Sequence, residues 1–82
     1  MDEGPGLRSI SHQASVSASR TAEVAESLVS TLERLADTYR WMAEGTRSPD
    51  KARRLREHVA RLEHRADEER AEVVRLRGIA EA

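Results

Sequence analysis

The sequence predicts an all-α protein: an antiparallel two-helix hairpin, coiled-coil-like, that dimerises into a four-helix bundle. Three observations predict this fold. Gly and Pro fall only within residues 4–6 and 45–49 and at residue 78, so two long stretches lack a strong helix breaker. Both stretches repeat apolar residues at alternating spacings of three and four. The 82 residues include one Trp, one Tyr and no Phe, which is too little aromatic material for a globular core.

The first helix is predicted over residues 9–44, after a flexible N-terminal segment at residues 1–8. Serines at positions 9, 11, 15, 17 and 19 make its N-terminal half the part expected to fray, because Ser competes for backbone hydrogen bonds. The predicted seam, the line of residues that faces the other helix, follows a heptad pattern. Its members are Ala14, Ala18, Thr21, Ala25, Leu28, Leu32, Leu35, Tyr39 and Met42.

The turn is predicted at residues 45–48. Gly45 is placed in a left-handed conformation that ends the first helix. Ser48 is expected to cap the second helix, and Pro49 suits its first helical position. Because so few residues separate the two helices, they must lie antiparallel.

The second helix is predicted over residues 49–81, and one acidic residue interrupts its apolar seam. The seam comprises Ala52, Leu55, Val59, Leu62, Ala66, Glu69, Val73, Leu76 and Ala80. An unpaired buried carboxylate is costly, so Glu69 is expected to reach the surface or to pair with Arg65 or Arg70. The alternative is that Glu69 specifies the register or the partner, as a polar seam residue does in coiled coils.

An apolar face beside the first seam predicts a homodimer. Ala22, Val29, Ala36 and Ala43 recur every seven residues there, which widens the apolar face to that of a helix inside a bundle. A different protein partner and a higher oligomer are the alternatives. The predicted interface comprises Ala22, Ala25, Leu28, Val29, Leu32, Leu35, Ala36, Tyr39, Met42 and Ala43.

Basic residues gather near the turn. Residues 47–56 hold five basic side chains against Asp50, a net charge of 5 − 1 = +4. Trp41 is expected either to cover the turn as a lid or to stand exposed beside arginines, a combination common in binding hot spots. This cluster binds either a protein or a phosphate backbone, or it is only a solvated face. The candidate partner contacts are Trp41, Arg40, Arg47, Lys51, Arg53 and Arg54.

The sequence offers no constellation for catalysis, so no enzyme activity, cofactor or metal site is predicted. It has no Cys, and His58 and His64 are six residues apart, whereas paired helical ligands need a spacing of three or four. With a net charge of −1, no signal-peptide pattern at the start and no long apolar run, the chain is predicted to be cytoplasmic and not membrane-bound.

Two families share this outline. The short-turned hairpin is similar to the RNA-binding four-helix dimers of plasmid copy control (Rop-like). Trp41 near Gly45 resembles the Trp-x-Gly turn of the WxG-type hairpins exported by type VII secretion. The spacing here is Trp-x-x-x-Gly, which departs from that pattern. No Tyr follows the second helix to supply the secretion signal of that family.

The sequence therefore predicts a non-enzymatic protein–protein interaction or regulatory module that acts as a homodimer. The first alternative is a small nucleic-acid-binding bundle that uses the arginines near the turn. The second alternative is an exported hairpin of the type VII kind.

Overall fold

The computed structural model describes the backbone of residues 4–81 and the surroundings of the side chains of residues 12–81. Helix α1 spans Gly4–Gly45 and helix α2 spans Pro49–Glu81. The two helices pack antiparallel in a rod whose extents are 73 × 13 × 12 Å. The predicted helical hairpin is confirmed. Helix α1 begins at Gly4 where the sequence placed its start at residue 9, and residues 1–3 of the predicted flexible segment lie outside the described residues.

Local hydrogen bonds fix the turn. The Ser48 Oγ accepts a hydrogen bond from the backbone N–H of Lys51 at 3.2 Å, so Ser48 caps α2 as predicted. The left-handed conformation predicted for Gly45 is wrong, because no residue in the described part of the chain has a positive φ. Instead, the Thr46 N–H donates to the Met42 carbonyl at 3.1 Å and continues the helical pattern one residue past Gly45.

The seam of α2 matches its prediction. Four of its members are buried: Ala52, Val59, Ala66 and Leu76. The others are partly buried: Leu55, Leu62, Glu69, Val73 and Ala80. This alternation by three and four keeps one narrow stripe of α2 against α1 along the whole rod.

The seam of α1 differs from its prediction at every second position. The buried residues include Ala22, Val29, Ala36 and Ala43, which follow the predicted members at 21, 28, 35 and 42 by one. Ala14, predicted as the first member, is exposed. The observed seam comprises Ala18, Ala22, Ala25, Val29, Leu32, Ala36, Tyr39 and Ala43. Because alanine dominates it, bulky side chains do not hold the two helices apart.

Candidate partner-binding surface

Ion pairs join the two helices along one side of the hairpin, which we call the ion-paired side. Arg77 donates to Glu26 at 2.6 Å, and Arg70 and Arg40 bind Glu33 and Glu63 in the same way. Each of these residues follows a seam residue by one, so all six lie on the same flank of the helix–helix contact. These are the ion pairs that join α1 to α2 among the described residues.

The opposite side of α1 exposes apolar side chains in a line that we call the stripe. Val24 is 69% exposed, Leu35 40% and Met42 38%, while Leu28 is half-buried. Thr31 and Thr38 complete a second heptad pattern at spacings of four and three. The stripe therefore comprises Val24, Leu28, Thr31, Leu35, Thr38 and Met42.

The predicted interface divides between the inside of the hairpin and this stripe. Five of its members are buried against α2 and are unavailable to a partner, which corrects the prediction: Ala22, Ala25, Val29, Ala36 and Ala43. Leu32 and Tyr39 are half-buried seam residues. Leu28, Leu35 and Met42 remain available on the stripe.

Sequence reasoning left Val24 out of the predicted interface and assigned the two apolar lines of α1 in the wrong order. The charge pattern indicates which of the two apolar lines faces α2. Glu26, Glu33 and Arg40 recur every seven residues and oppose Arg77, Arg70 and Glu63 in sign. The observed seam places both series close beside the helix–helix contact, where they pair.

The basic residues near the turn fall into two groups. Arg40 is held by Asp37 at 2.7 Å and by Glu63, and Arg53 lies 3.5 Å from Glu57. Arg47, Lys51 and Arg54 pair with no carboxylate in the described part of the chain. The second group therefore keeps its charge available for a partner.

A basic groove continues from this second group along the stripe side of α2. The Tyr39 ring packs edge-on against the His58 ring, with centroids 4.5 Å apart and planes at 73°. Arg61 donates a hydrogen bond to the His58 Nδ1 at 3.1 Å. The groove is lined by Tyr39, Lys51, Arg54, Leu55, His58 and Arg61, with no acidic residue among them.

Trp41 does not cover the turn. Its side chain is 75% exposed on the outer face of α1, so the lid hypothesis is wrong and the indole is exposed, as the alternative expected. Neither α2 nor the turn covers this indole, and most of its surface remains accessible to a partner.

Glu69 is partly buried in the seam and is paired with an arginine. Its side chain is 23% exposed and accepts a hydrogen bond from the Arg65 Nε at 3.4 Å, one of the two partners expected from the sequence. This pairing satisfies the carboxylate within α2, so the seam tolerates Glu69 without a partner molecule.

Three groups on the far half of α2 have shifted pKa values. The Arg75 side chain donates two hydrogen bonds to Glu72, which lowers the pKa of Glu72 and raises the pKa of Arg75. A hydrogen bond to Glu26 raises the pKa of Arg77. All three pKa shifts favour the charged form of a group that is already charged at neutral pH.

Comparison with protein-family models, with curated proteins and with solved structures finds no match to this chain. Among the described residues, no group of three or more His, Cys, Asp or Glu side chains is arranged to hold a metal ion. His64 is paired with Glu68 at 2.7 Å on the outer face of α2. Within the same part of the chain, neither helix has an apolar stretch suited to crossing a membrane.

Proposed function

We propose that the chain is a non-enzymatic protein–protein interaction module that acts as a homodimer through the stripe of α1. The observation that carries this proposal is the difference between the two sides of the hairpin. Ion pairs close one side of the hairpin, whereas Val24, Leu35 and Met42 stand exposed on the other. Large side chains exposed at heptad spacing are typical of a helix that packs against another helix.

The small core supports the same proposal. The buried residues of the hairpin are alanines with two valines and one leucine, so a single hairpin removes little apolar surface from water. A domain of this size commonly gains stability from oligomerisation. Docking of two stripes buries the larger leucine and methionine side chains that the hairpin leaves outside.

Light scattering on the purified protein tests this proposal. We expect a mass of twice 9.2 kDa for the wild-type chain. Leu35→Lys places two lysines near the middle of the proposed interface and should shift the mass toward the monomer. Ser30→Lys, at an exposed position off the stripe, is the matched control and should leave the dimer intact.

A wild-type chain that stays at 9.2 kDa while circular dichroism reports a folded helical protein would contradict the proposal. Equal loss of the dimer in Leu35→Lys and Ser30→Lys would also contradict it, because the stripe would then have no special role.

Nucleic-acid binding is a second candidate function, favoured by the unpaired cations Arg47, Lys51 and Arg54. Phosphate contacts release counterions, so the affinity would fall with salt by a log–log slope of about −0.9 for each phosphate contacted. Fluorescence anisotropy of a labelled oligonucleotide across a salt series measures this slope. Binding that is absent, or that survives in Lys51→Glu with Arg54→Glu, would contradict this candidate.

A further inference from the structure

We propose that the second copy docks antiparallel on the stripe, so that the turn of each hairpin lies at the far end of its partner. This inference rests on the proposed homodimer and adds its orientation. Two independent features of the surface support it: the sequence of side-chain sizes along the stripe and the distribution of charge along α2.

Side-chain sizes along the stripe complement one another when one copy is reversed. The stripe runs from Val24 to Met42 and its midpoint falls at residue 33. Reversal about this midpoint brings Val24 opposite Met42. In the same arrangement each leucine meets a threonine: Leu28 opposite Thr38 and Thr31 opposite Leu35.

In the parallel arrangement, each stripe residue would face its own copy. Leucine would then meet leucine and threonine would meet threonine, so bulky layers would alternate with under-filled ones. Packing that alternates large and small residues fills the space between helices without voids or strain. The stripe is therefore self-complementary in the antiparallel orientation.

The threonines of the stripe are compatible with burial. The Thr31 hydroxyl donates to the Ser27 carbonyl at 3.1 Å, and the Thr38 hydroxyl donates to the Arg34 carbonyl at 3.0 Å. Both hydroxyl protons are satisfied within α1, so neither threonine needs an acceptor across the interface.

The net charge of α2 on the stripe side changes along the rod, from basic near the turn to weakly acidic beyond it. Lys51, Arg54, Arg61 and Arg65 lie in the half nearer the turn. Glu68, Glu72 and Arg75 of this side lie beyond them, and Arg75 is paired with Glu72. Each of Lys51, Arg65 and Glu72 precedes a seam residue by one, which places it on the flank opposite the ion pairs.

A parallel dimer would bring the basic halves of the two copies together. An antiparallel dimer sets the basic half of each copy alongside the weakly acidic half of its partner, where Glu68, Glu72 and Arg75 lie. Opposed charges across an interface select the orientation, and like charges exclude the alternative.

Cross-linking tests the orientation, and the absence of cysteine from the natural chain makes the test clean. The variants Val24→Cys and Met42→Cys each carry one thiol at an exposed stripe position. In the antiparallel dimer, the two Val24→Cys thiols would lie about 27 Å apart along the rod, 18 residues at 1.5 Å each. A short bis-maleimide cannot join them, nor two Met42→Cys thiols, but it can join Val24→Cys to Met42→Cys.

We expect cross-linked dimers only after the two variants are mixed, identified by the intact mass of the mixed pair. Self-cross-linking of each variant alone would show a parallel dimer and overturn the inference. A protein that scatters light as a dimer but gives no cross-link in any sample would overturn it too. A monomeric wild-type chain contradicts the proposed homodimer instead, so the two failures are distinguishable.

Charge reversal provides a second measurement of the same inference. Lys51→Glu with Arg54→Glu should raise the dimer dissociation constant about tenfold, and so should Glu68→Arg with Glu72→Arg. The four substitutions together should restore most of the affinity if these groups face one another. An additive loss in the fourfold variant, with helicity unchanged, would contradict the antiparallel orientation.

Discussion

Arg40 joins Asp37 on its own helix to Glu63 on α2, and so it lies between two carboxylates at the surface of the hairpin. The same arrangement recurs one ion pair further along, where Arg70 contacts both Asp67 and Glu33. An arginine placed between an intrahelical and an interhelical carboxylate links helix formation to helix pairing.

These ion pairs should orient the helices more than they stabilise them. Their side chains are about half exposed, and exposed pairs contribute about 0.2–1 kcal/mol. We expect a double-mutant cycle of Glu33→Gln and Arg70→Met to give a coupling energy in that range, which falls as salt is added. Urea unfolding at two salt concentrations measures it. A coupling that does not change with salt would contradict this account.

Enlargement of the alanine seam should destabilise the hairpin. Ala22 is 0% exposed, so Ala22→Leu forces extra volume between α1 and α2 and should cost about 1–3 kcal/mol. Ala60 is exposed on α2, and Ala60→Leu is the control that should change stability little. Thermal unfolding at one protein concentration compares the two. Similar melting temperatures for both variants would show that the seam tolerates bulk.

Two glycines are predicted to be replaceable. Neither Gly45 nor Gly78 has a positive φ, and an added Cβ at either site meets no atom within 4 Å. Gly78→Ala, within α2, should stabilise the fold by about 0.5–1 kcal/mol. Gly45→Ala should also be tolerated. Destabilisation by Gly45→Ala in urea unfolding would indicate that the left-handed turn expected from the sequence forms after all.

Loss of the Ser48 cap should destabilise α2. Ser48→Ala removes the acceptor for the Lys51 N–H and should cost about 1 kcal/mol. Ser30→Ala, at an exposed position inside α1, is the control and should be neutral or slightly stabilising. The difference between their urea midpoints checks the cap. An equal effect of both substitutions would show that Ser48 contributes no more than an ordinary exposed serine.

Acid should weaken α2 through Glu72. The pKa of Glu72 in the folded chain is lowered from 4.5 by its hydrogen bonds from Arg75, so folding favours the ionised carboxylate. This stabilisation is present above the unfolded-state value and is lost as pH falls through the lower folded-state value. We expect the wild-type chain to lose more stability below pH 4.5 than Glu72→Gln does, measured by urea unfolding. Equal losses would contradict the pairing with Arg75.

The hairpin and its cap could be read from the sequence because local signals dictate them. Ser48 and Pro49 start a helix through their own chemistry, and the short turn leaves no other topology. The seam of α1 could not be read from apolar spacing alone. Leu28, Leu35 and Met42 form a heptad line as regular as the alanines beside them.

The candidate surface was predicted in part for the same reason. An apolar excess on α1 was expected, but the residues assigned to it were those that the hairpin uses for itself. Charge pairing across the two helices, for example of Glu26 with Arg77, selects the alanine line for the interior. That selection depends on both helices at once, so a reading of each helix by itself misses it.

Trp41 gives this chain a built-in optical probe. It is the single Trp, it is exposed on the outer face of α1, and it lies off the stripe. Association of two copies through the stripe would leave this indole in water, and its emission would stay at long wavelength. A blue shift would then report a third molecule at the turn end, seen without any label and separately from dimerisation.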